Sequence, residues 1–332
     1  MSSKKCKVVF FNRNRSLGYS INKVFIPIRD NIARDYRVEN VYVPGRTANP
    51  IDIIKNLLYV WKHRDKNAVN HVTGDIHYCM LALIGCKSVL TIHDIVVLKN
   101  AKNKVERFIK WFFWFYLPIK LSDQVVCISE QTKNDVLAQV DCDKILVIHN
   151  PIDDNFIYQP NAFNAVCPRI LQIGTGWNKN LNRVIVALNG ISCHLKIIGK
   201  LNEKQLELLN FYKIDYSCAS NLTDQEIYEE YIQSDIVSFP SIFEGFGMPV
   251  IEGQAVGRAV LTSAIEPIIE ISGEGAHFVN PENVESIKEG FNKLINLDTY
   301  RIELIGKGVL NARRFEAKYI AEQYSKVYSN LY

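Results

Sequence analysis

No two of the eight cysteines (positions 6, 79, 86, 127, 142, 167, 193 and 218) are spaced as a C-x-x-C pair, and most lie in or beside apolar segments. The pattern excludes a zinc knuckle or a disulfide framework and reads as small buried hydrophobes in a reducing cytosol. A long hydrophobic run is also lacking. The longest, "WFFWFYLPI" at 111–119, falls far short of the roughly 20 apolar residues that span a bilayer. The start, "MSSKKCKVVFF", carries basic residues, but the apolar run that follows is broken by "NRNR", so no signal peptide is expected. No short-period repeat is present; the two halves share a plan without sharing sequence.

What is there is a chain of 332 residues, enough for two domains of ordinary size. A hydrophobic content of 48% supports real cores and argues against disorder. The net charge of +4 hides an asymmetry: residues 1–150 hold 23 basic against 13 acidic side chains, and the remainder holds 16 against 22. A basic first half suits a polyanion or an anionic membrane surface, or is simply a solvated basic face.

Strand-like and helix-like segments alternate throughout. Candidate strands are 4–11, 37–43, 67–73, 86–93, 123–129 and 144–150, then 168–174, 194–200, 235–241, 258–263 and 275–281. They are Val/Ile-rich, as strands covered on both faces are. Helical patterns fall between them, at 49–64 and 129–140 and at about 178–189, 202–211, 223–232, 247–256 and 283–296. The fold class is α/β, with parallel, doubly wound sheets. The expected division is a Rossmann-like domain at 1–150, a linker at 151–167 and a second Rossmann-like domain at 168–315. Residues 316–332 form a C-terminal helix, a candidate to pack back on the first domain. Two such domains facing a central cleft place ligands at the strand carboxyl ends.

One such end is "FEGFGMPVIEG" at 243–253, a glycine-rich turn between a strand and a helix. Its glycines let a ligand approach backbone N–H groups, and the helix N-terminus favours an anion. Glu244 and Glu252 cannot both contact a phosphate held there. Ionised carboxylates only accept hydrogen bonds, so their partners are hydroxyls. Hydroxyls at both ends with phosphate between describe a nucleoside-diphosphate sugar.

The segment "EGFGMPVIE" resembles the E-x7-E signature of retaining glycosyltransferases of family 4, which have the GT-B fold. The likeness extends in order through "VVCISEQTKNDV" (125–136), "ILVIHNPID" (145–153), "LQIGTGWNKNLNRVI" (171–185), "IIGK" (197–200) and 235–260. It implies that Glu252 binds the donor ribose, that Glu244 places the donor sugar, and that the N–H groups of Phe246, Gly247 and Met248 hold the diphosphate. Lys179, beside the "IG" turn at Gly174, would neutralise the leaving group. His93, in "VLTIHDI", would bond the sugar, with Asp94 beside it on the acceptor side. The family often carries an arginine where this chain has Thr175; Lys200, or else Arg183, is the candidate substitute.

The first turn, "FNRNRSLGYSINK" (11–23), lacks the double glycine common in relatives but keeps Gly18 and Ser20 before a helix. Gly18 would cover the diphosphate, and Arg13 and Arg15 would meet an acceptor phosphate. His71 and His77 are further acceptor-side candidates, and Asp75 a helix cap. Ser129 reads as a helix N-cap. The resemblance implies no metal and no cofactor beyond the nucleotide-sugar co-substrate.

The segment 104–123 mixes Lys and Arg with aromatics and reads two ways, as a helix resting on a membrane or as one packed on the first sheet. The function implied is retaining transfer of a hexose from a UDP- or GDP-sugar to a glycan or lipid-linked saccharide in cell-surface polysaccharide synthesis. It would take place at the cytoplasmic face of an anionic membrane, with no nucleic-acid partner. The rival readings are a GT-B-like sugar-nucleotide epimerase and a non-catalytic sugar-nucleotide or glycan-binding subunit.

Overall fold

The structure is a computed structural model that describes residues 5–17 and 19–332. Contacts divide the chain into one unit running to Asp153 and completed by Glu316–Tyr332, and a second unit, Asp154–Phe315.

The first unit holds six strands, β1 (Lys7–Asn12), β2 (Arg37–Tyr42), β3 (Val69–Val72), β4 (Ser88–Ile92), β5 (Gln124–Cys127) and β6 (Ile145–Val147). They pair in parallel in the order β2-β1-β3-β4-β5-β6. The order reverses between β1 and β3, the position at which ligands enter such sheets. One face of the sheet is covered by the helix Tyr19–Ile32 and the C-terminal helix Ala317–Leu331. The C-terminal helix earns its place through Ile320, Tyr324 and Tyr328, spaced four apart on one stripe, which pack among Phe10, Phe25 and Val89.

That packing corrects one expectation. His71 lies on β3 inside this core, fully buried. Its Nδ1 meets the Tyr328 hydroxyl and its Nε2 the Thr91 hydroxyl, each at 2.8 Å. Both ring nitrogens are engaged, so His71 is a core histidine and not an acceptor ligand. His77 is buried, with Nδ1 2.9 Å from the Trp114 carbonyl. Asp75 caps no helix. It sits at φ 53° and pairs with Arg13.

The aromatic segment is an α-helix over Lys104–Lys110, π-helical over Trp111–Tyr116 and α-helical again over Leu117–Leu121. It faces two ways. Trp111 donates Nε1–H to the Gln139 carbonyl at 3.0 Å, and Trp114 packs edge-on against Tyr78. Val105, Phe108, Ile109 and Phe113 are exposed.

The second unit holds β7 (Arg169–Ile173), β8 (His194–Ile198), β9 (Tyr216–Ala219), β10 (Ile236–Phe239), β11 (Ala259–Ser263) and β12 (His277–Val279). They are parallel, in the order β12-β11-β10-β7-β8-β9, with the reversal between β7 and β10. The edge strand β9 has no counterpart in the sequence reading. Its four residues, "YSCA", are half exposed and carry no apolar run, so their strand character comes from pairing with β8. The segment expected as one helix at 178–189 is a 3-10 turn at Trp177–Lys179, then Asn180 at φ 60°, then the α-helix Leu181–Ala187.

Two buried polar groups fasten the segment that follows Asp153 to this unit. Asp235 accepts from the amides of Arg169 (2.8 Å) and Asn164 (3.2 Å). The Arg258 guanidinium, 2% exposed, donates to the carbonyls of Gln159, Tyr231 and Ile232. A buried charge is tolerated only when its donors are satisfied in this way.

Candidate functional site

The turns that leave β7 and β10 lie side by side at the reversal point of the second sheet. The turn after β7 begins at Gly174, at φ +86°; a Cβ there would lie 2.8 Å from Lys179 Cγ. Glycine therefore lets the Lys179 side chain lie against the backbone. The lysine carbonyl accepts from Gln172 Nε2 at 3.0 Å, which ties the 3-10 turn back to β7.

The turn after β10 runs from Pro240 to Gly247. Asn180 Nδ2 donates to the Pro240 carbonyl (2.9 Å) and the Pro281 carbonyl (2.6 Å). The Ile242 amide donates to the Asn178 carbonyl at 2.8 Å, and Asn178 Nδ2 reaches the Phe243 carbonyl at 3.1 Å. The two turns are thus laced together by backbone and amide groups. At their junction Lys179 Nζ lies 2.7 Å from Glu244 Oε1, with Asn178 Nδ2 3.3 Å from the same oxygen. The ammonium also sits 4.6 Å from the centre of the Phe239 ring, whose face attracts a cation.

Gly247, at φ +111°, starts the helix Met248–Ala255. A side chain there would strain the backbone and drive a Cβ to 2.8 Å from Ile268 Cδ1. Pro249 fits near the helix start, where no amide partner is needed. The helix buries Val250, Ile251 and Gly253, and Gly253 brings it close enough to the sheet that a Cβ would lie 2.9 Å from Val237. This leaves the first-turn N–H groups at the carboxyl end of β10. Phe246 is buried, while Met248 is partly exposed.

Glu252 lies in the third quarter of the helix, partly exposed, and accepts from the Tyr231 hydroxyl at 2.5 Å through Oε2. Burial, then the neighbouring carboxylate, pushes the Tyr231 phenol well above its usual value, so it donates. Nothing in the sequence points to Tyr231, because the bond links two helices. Asn178, Asn180 and Gln172 were missed for the same reason: each works by a tertiary hydrogen bond.

Thr175 spends its hydroxyl on the Lys200 carbonyl at 2.7 Å, beneath Gly199. The Lys200 side chain is exposed. Arg183 donates to Asn180 Oδ1 at 3.0 Å and so braces the turn.

In the first unit, His93 follows β4 and is buried. Its Nε2 is 2.8 Å from the Thr73 carbonyl, which can only accept, so Nε2 carries the proton and Nδ1 is left as an acceptor. Burial lowers its pKa and keeps the ring neutral. Gly74, at φ +140°, leaves room for the ring; a Cβ there would lie 2.6 Å from His93 Cδ2. Asp94 accepts from the Val96 amide at 2.8 Å. Ser129 caps the helix Glu130–Leu137 by accepting from the Thr132 amide. Arg13 pairs with Asp75 and donates to the Leu17 carbonyl, and Arg15 stacks 4.4 Å over the Tyr42 ring. Gly18 lies outside the described residues. Among the described residues, no group of three His, Cys, Asp or Glu side chains is placed to hold a metal ion, and no helix is long and apolar enough to cross a membrane.

Comparison with known proteins adds the family. The pattern of Glycosyltransferase Family 4 matches residues 6–156, and that of Glycosyl transferases group 1 matches 161–308. An uncharacterized glycosyltransferase of Methanocaldococcus jannaschii is 26% identical over 73% of this chain and 68% of its own length. The serotype-specific mannosyltransferase WbdA of Escherichia coli is 22% identical over 85% of this chain, which spans only 36% of WbdA. The fold matches that of Anabaena HepE, solved with UDP and glucose, at a TM-score of 0.77 and 12% identity, covering 98% of this chain and 100% of HepE. With two six-stranded parallel sheets and matches that run almost from end to end, the chain belongs to the GT-B glycosyltransferases of the family 4 type.

Proposed function

We propose that the protein moves a hexose, with retention, from a UDP- or GDP-sugar to a glycan or lipid-linked saccharide in cell-surface polysaccharide synthesis. The observation that carries this reading is the Lys179–Glu244 contact at the start of a helix whose later turn presents Glu252. An ammonium, a helix N-terminus and two carboxylates are the complement of a diphosphate flanked by hydroxyls.

Glu252, braced by Tyr231, accepts the ribose hydroxyls. The N–H groups at Phe246, Gly247 and Met248 hold the diphosphate, and the Lys179 ammonium meets the charge that develops as the sugar–phosphate bond breaks. Glu244 accepts from hydroxyls of the donor sugar. Retention follows from front-face attack. The acceptor oxygen bonds the anomeric carbon, the phosphate oxygen leaves, and that oxygen takes the acceptor's proton, so no protein nucleophile is needed. With Lys179 and the amides supplying positive potential, no metal ion is required; Lys200 is the candidate second cation. WbdA's name as a mannosyltransferase supports a hexose as the group transferred, and HepE's complex with UDP and glucose supports a UDP-sugar as one donor class. The basic first half supports work at the inner face of an anionic membrane.

Incubation with labelled UDP- and GDP-hexoses tests the reading. Transfer, or slow hydrolysis with the anomeric configuration retained, supports it. Epimer formation, or nucleotide binding with no turnover, overturns it. Thermal shift with UDP, GDP and ADP identifies the base.

A further inference from the structure

The amino ends of β8 and β9 carry a second polar cluster, at the opposite end of the sheet from the turns that leave β7 and β10. The parallel register sets Leu195 opposite Tyr216 and Lys196 opposite Ser217, which brings His194 beside Asp215, one residue before β9. Residues two apart on a strand share a face, so Asp215 and Ser217 flank the imidazole. His194 Nδ1 lies 2.8 Å from Asp215 Oδ2, and Nε2 lies 2.8 Å from Ser217 Oγ. A carboxylate only accepts, so Nδ1 carries the proton. Nε2 is then the acceptor, and the Ser217 hydroxyl donates to it. Carboxylate, imidazole and hydroxyl joined in that order are what turn a serine into a nucleophile.

The surroundings suit that use. The His194 side chain is 27% exposed, shielded yet within reach, and Ser217 is partly exposed. β9 is an edge strand paired only with β8. The carbonyls of Asp215 and Ala219 accept from Leu195 and Gly199, so the alternate residues Tyr216 and Cys218 turn their backbone groups to the open edge. The Cys218 N–H, next along the chain from Ser217, can therefore meet the oxygen of a carbonyl under attack. A cavity of about 470 Å³ opens at the same end, lined by Asp215 and Cys193, with apolar walls at Leu188, Ile191 and Ile214. Small-molecule sites span roughly 300–1,000 Å³. Rival nucleophiles are quenched. Burial, then the nearby Cys167 and Asp215, pushes the Cys193 thiol up to about 12, so it stays protonated. Lys196 is bound to Glu230 at 2.8 Å.

We propose that Ser217, His194 and Asp215 form a second site, separate from sugar transfer, that hydrolyses short-chain carboxylic esters. Ser217 Oγ bonds the ester carbonyl carbon while its proton passes to His194 Nε2. The ester C–O bond then breaks, and the departing alkoxide takes that proton and leaves as the alcohol. Water gives a proton to Nε2 and its hydroxide to the acyl carbon. The acid is released, and Ser217 Oγ recovers its proton from Nε2. Asp215 is a positioning residue that holds the Nδ1–H tautomer.

The test incubates the whole protein with p-nitrophenyl butyrate and, separately, with a fluorophosphonate that labels activated serines, the modified peptide being read by mass spectrometry. Ester hydrolysis should fall by about 10²-fold in Ser217→Ala and in His194→Gln, the lower end of what a general base contributes. It should fall in the same direction in Asp215→Asn. The label should sit on Ser217 in the native chain and be lost in His194→Gln, which keeps the hydroxyl and removes the base. Native-level hydrolysis in Ser217→Ala, or equal labelling of Ser217 with and without His194, overturns the proposal. So does the absence of label on Ser217 in the native chain, a result that depends on no variant's folding. Transfer from labelled UDP- and GDP-hexoses is read on the same samples and should be unchanged in Ser217→Ala, so the failure of either activity leaves the other standing.

Discussion

Lys179 Nζ lies 2.7 Å from Glu244 Oε1 while resting over the Phe239 ring, so the ammonium is held between a carboxylate and an aromatic face. Both side chains are largely shielded, and the contact is fixed by Gln172, Asn178 and Asn180. A diphosphate at the helix start would compete with Glu244 for this cation.

Lys179→Ala should therefore reduce kcat by about 10²–10³-fold, the effect of deleting one preorganised group that meets developing charge. Single-turnover rates with saturating donor measure it. Near-native rates would place the operative cation elsewhere, with Lys200 next to be examined.

Tyr231 and Glu252 form a pair in which the phenol orients the carboxylate. Glu252→Ala should weaken nucleotide binding by about tenfold or more, a loss of about 1.4 kcal/mol. Tyr231→Phe should produce a smaller weakening in the same direction, because it removes one oriented hydrogen bond to a charged group. Calorimetric titration with UDP and GDP reads both. Unchanged affinity in Glu252→Ala would remove its ribose role.

Gly174→Ala probes the lysine without altering any charge. At φ +86°, with a Cβ 2.8 Å from Lys179 Cγ, the methyl must strain the backbone and push the lysine aside. The expected cost is about 1 kcal/mol of stability, a melting shift of about 2–4 °C. Turnover should fall by about tenfold, because the ammonium is displaced. A variant that loses stability but keeps full turnover would show that the position of Lys179 does not matter.

His71 gives the fold a pH dependence of definite sign. Burial, then the charges of His93 and Arg29, pushes its pKa down from 6.5 to about 3. The unfolded chain binds a proton in that interval and the folded chain does not. Stability is thus fully present above about 6.5 and is lost as pH falls toward about 3. His77 and His93 are shifted in the same direction, both chiefly by burial. Melting temperatures measured from neutral pH down to about 5 should fall, and His71→Gln should flatten the slope in part. A slope identical in that variant would mean that other groups set the acid limit.

The α/β class and the positions of nearly all strands follow from the sequence, because a strand buried on both faces must be an unbroken apolar run and its partner helix must be amphipathic. The turn at 243–253 is equally legible as a glycine-rich strand-to-helix turn: Gly247, at φ +111°, leads directly into the helix Met248–Ala255. The edge strand β9 was not legible, since four mixed residues acquire their conformation from a neighbour far along the chain. Nor was the fate of the histidines. His71 and His93 both sit on or after Val/Ile-rich strands, yet one is sealed among Tyr328, Thr91 and Phe10 through both ring nitrogens and the other bonds the Thr73 carbonyl through Nε2.

Sequence by itself determined which segments are strands and helices and which carboxylates stand at a strand end, because backbone periodicity and glycine freedom are local properties. Only the tertiary structure decided that Glu244 meets Lys179, that Tyr231 braces Glu252 and that the last helix closes the first sheet over His71. Each of those contacts joins residues 21 to 257 positions apart, and no local preference specifies them; burial and hydrogen-bond satisfaction in the packed chain do.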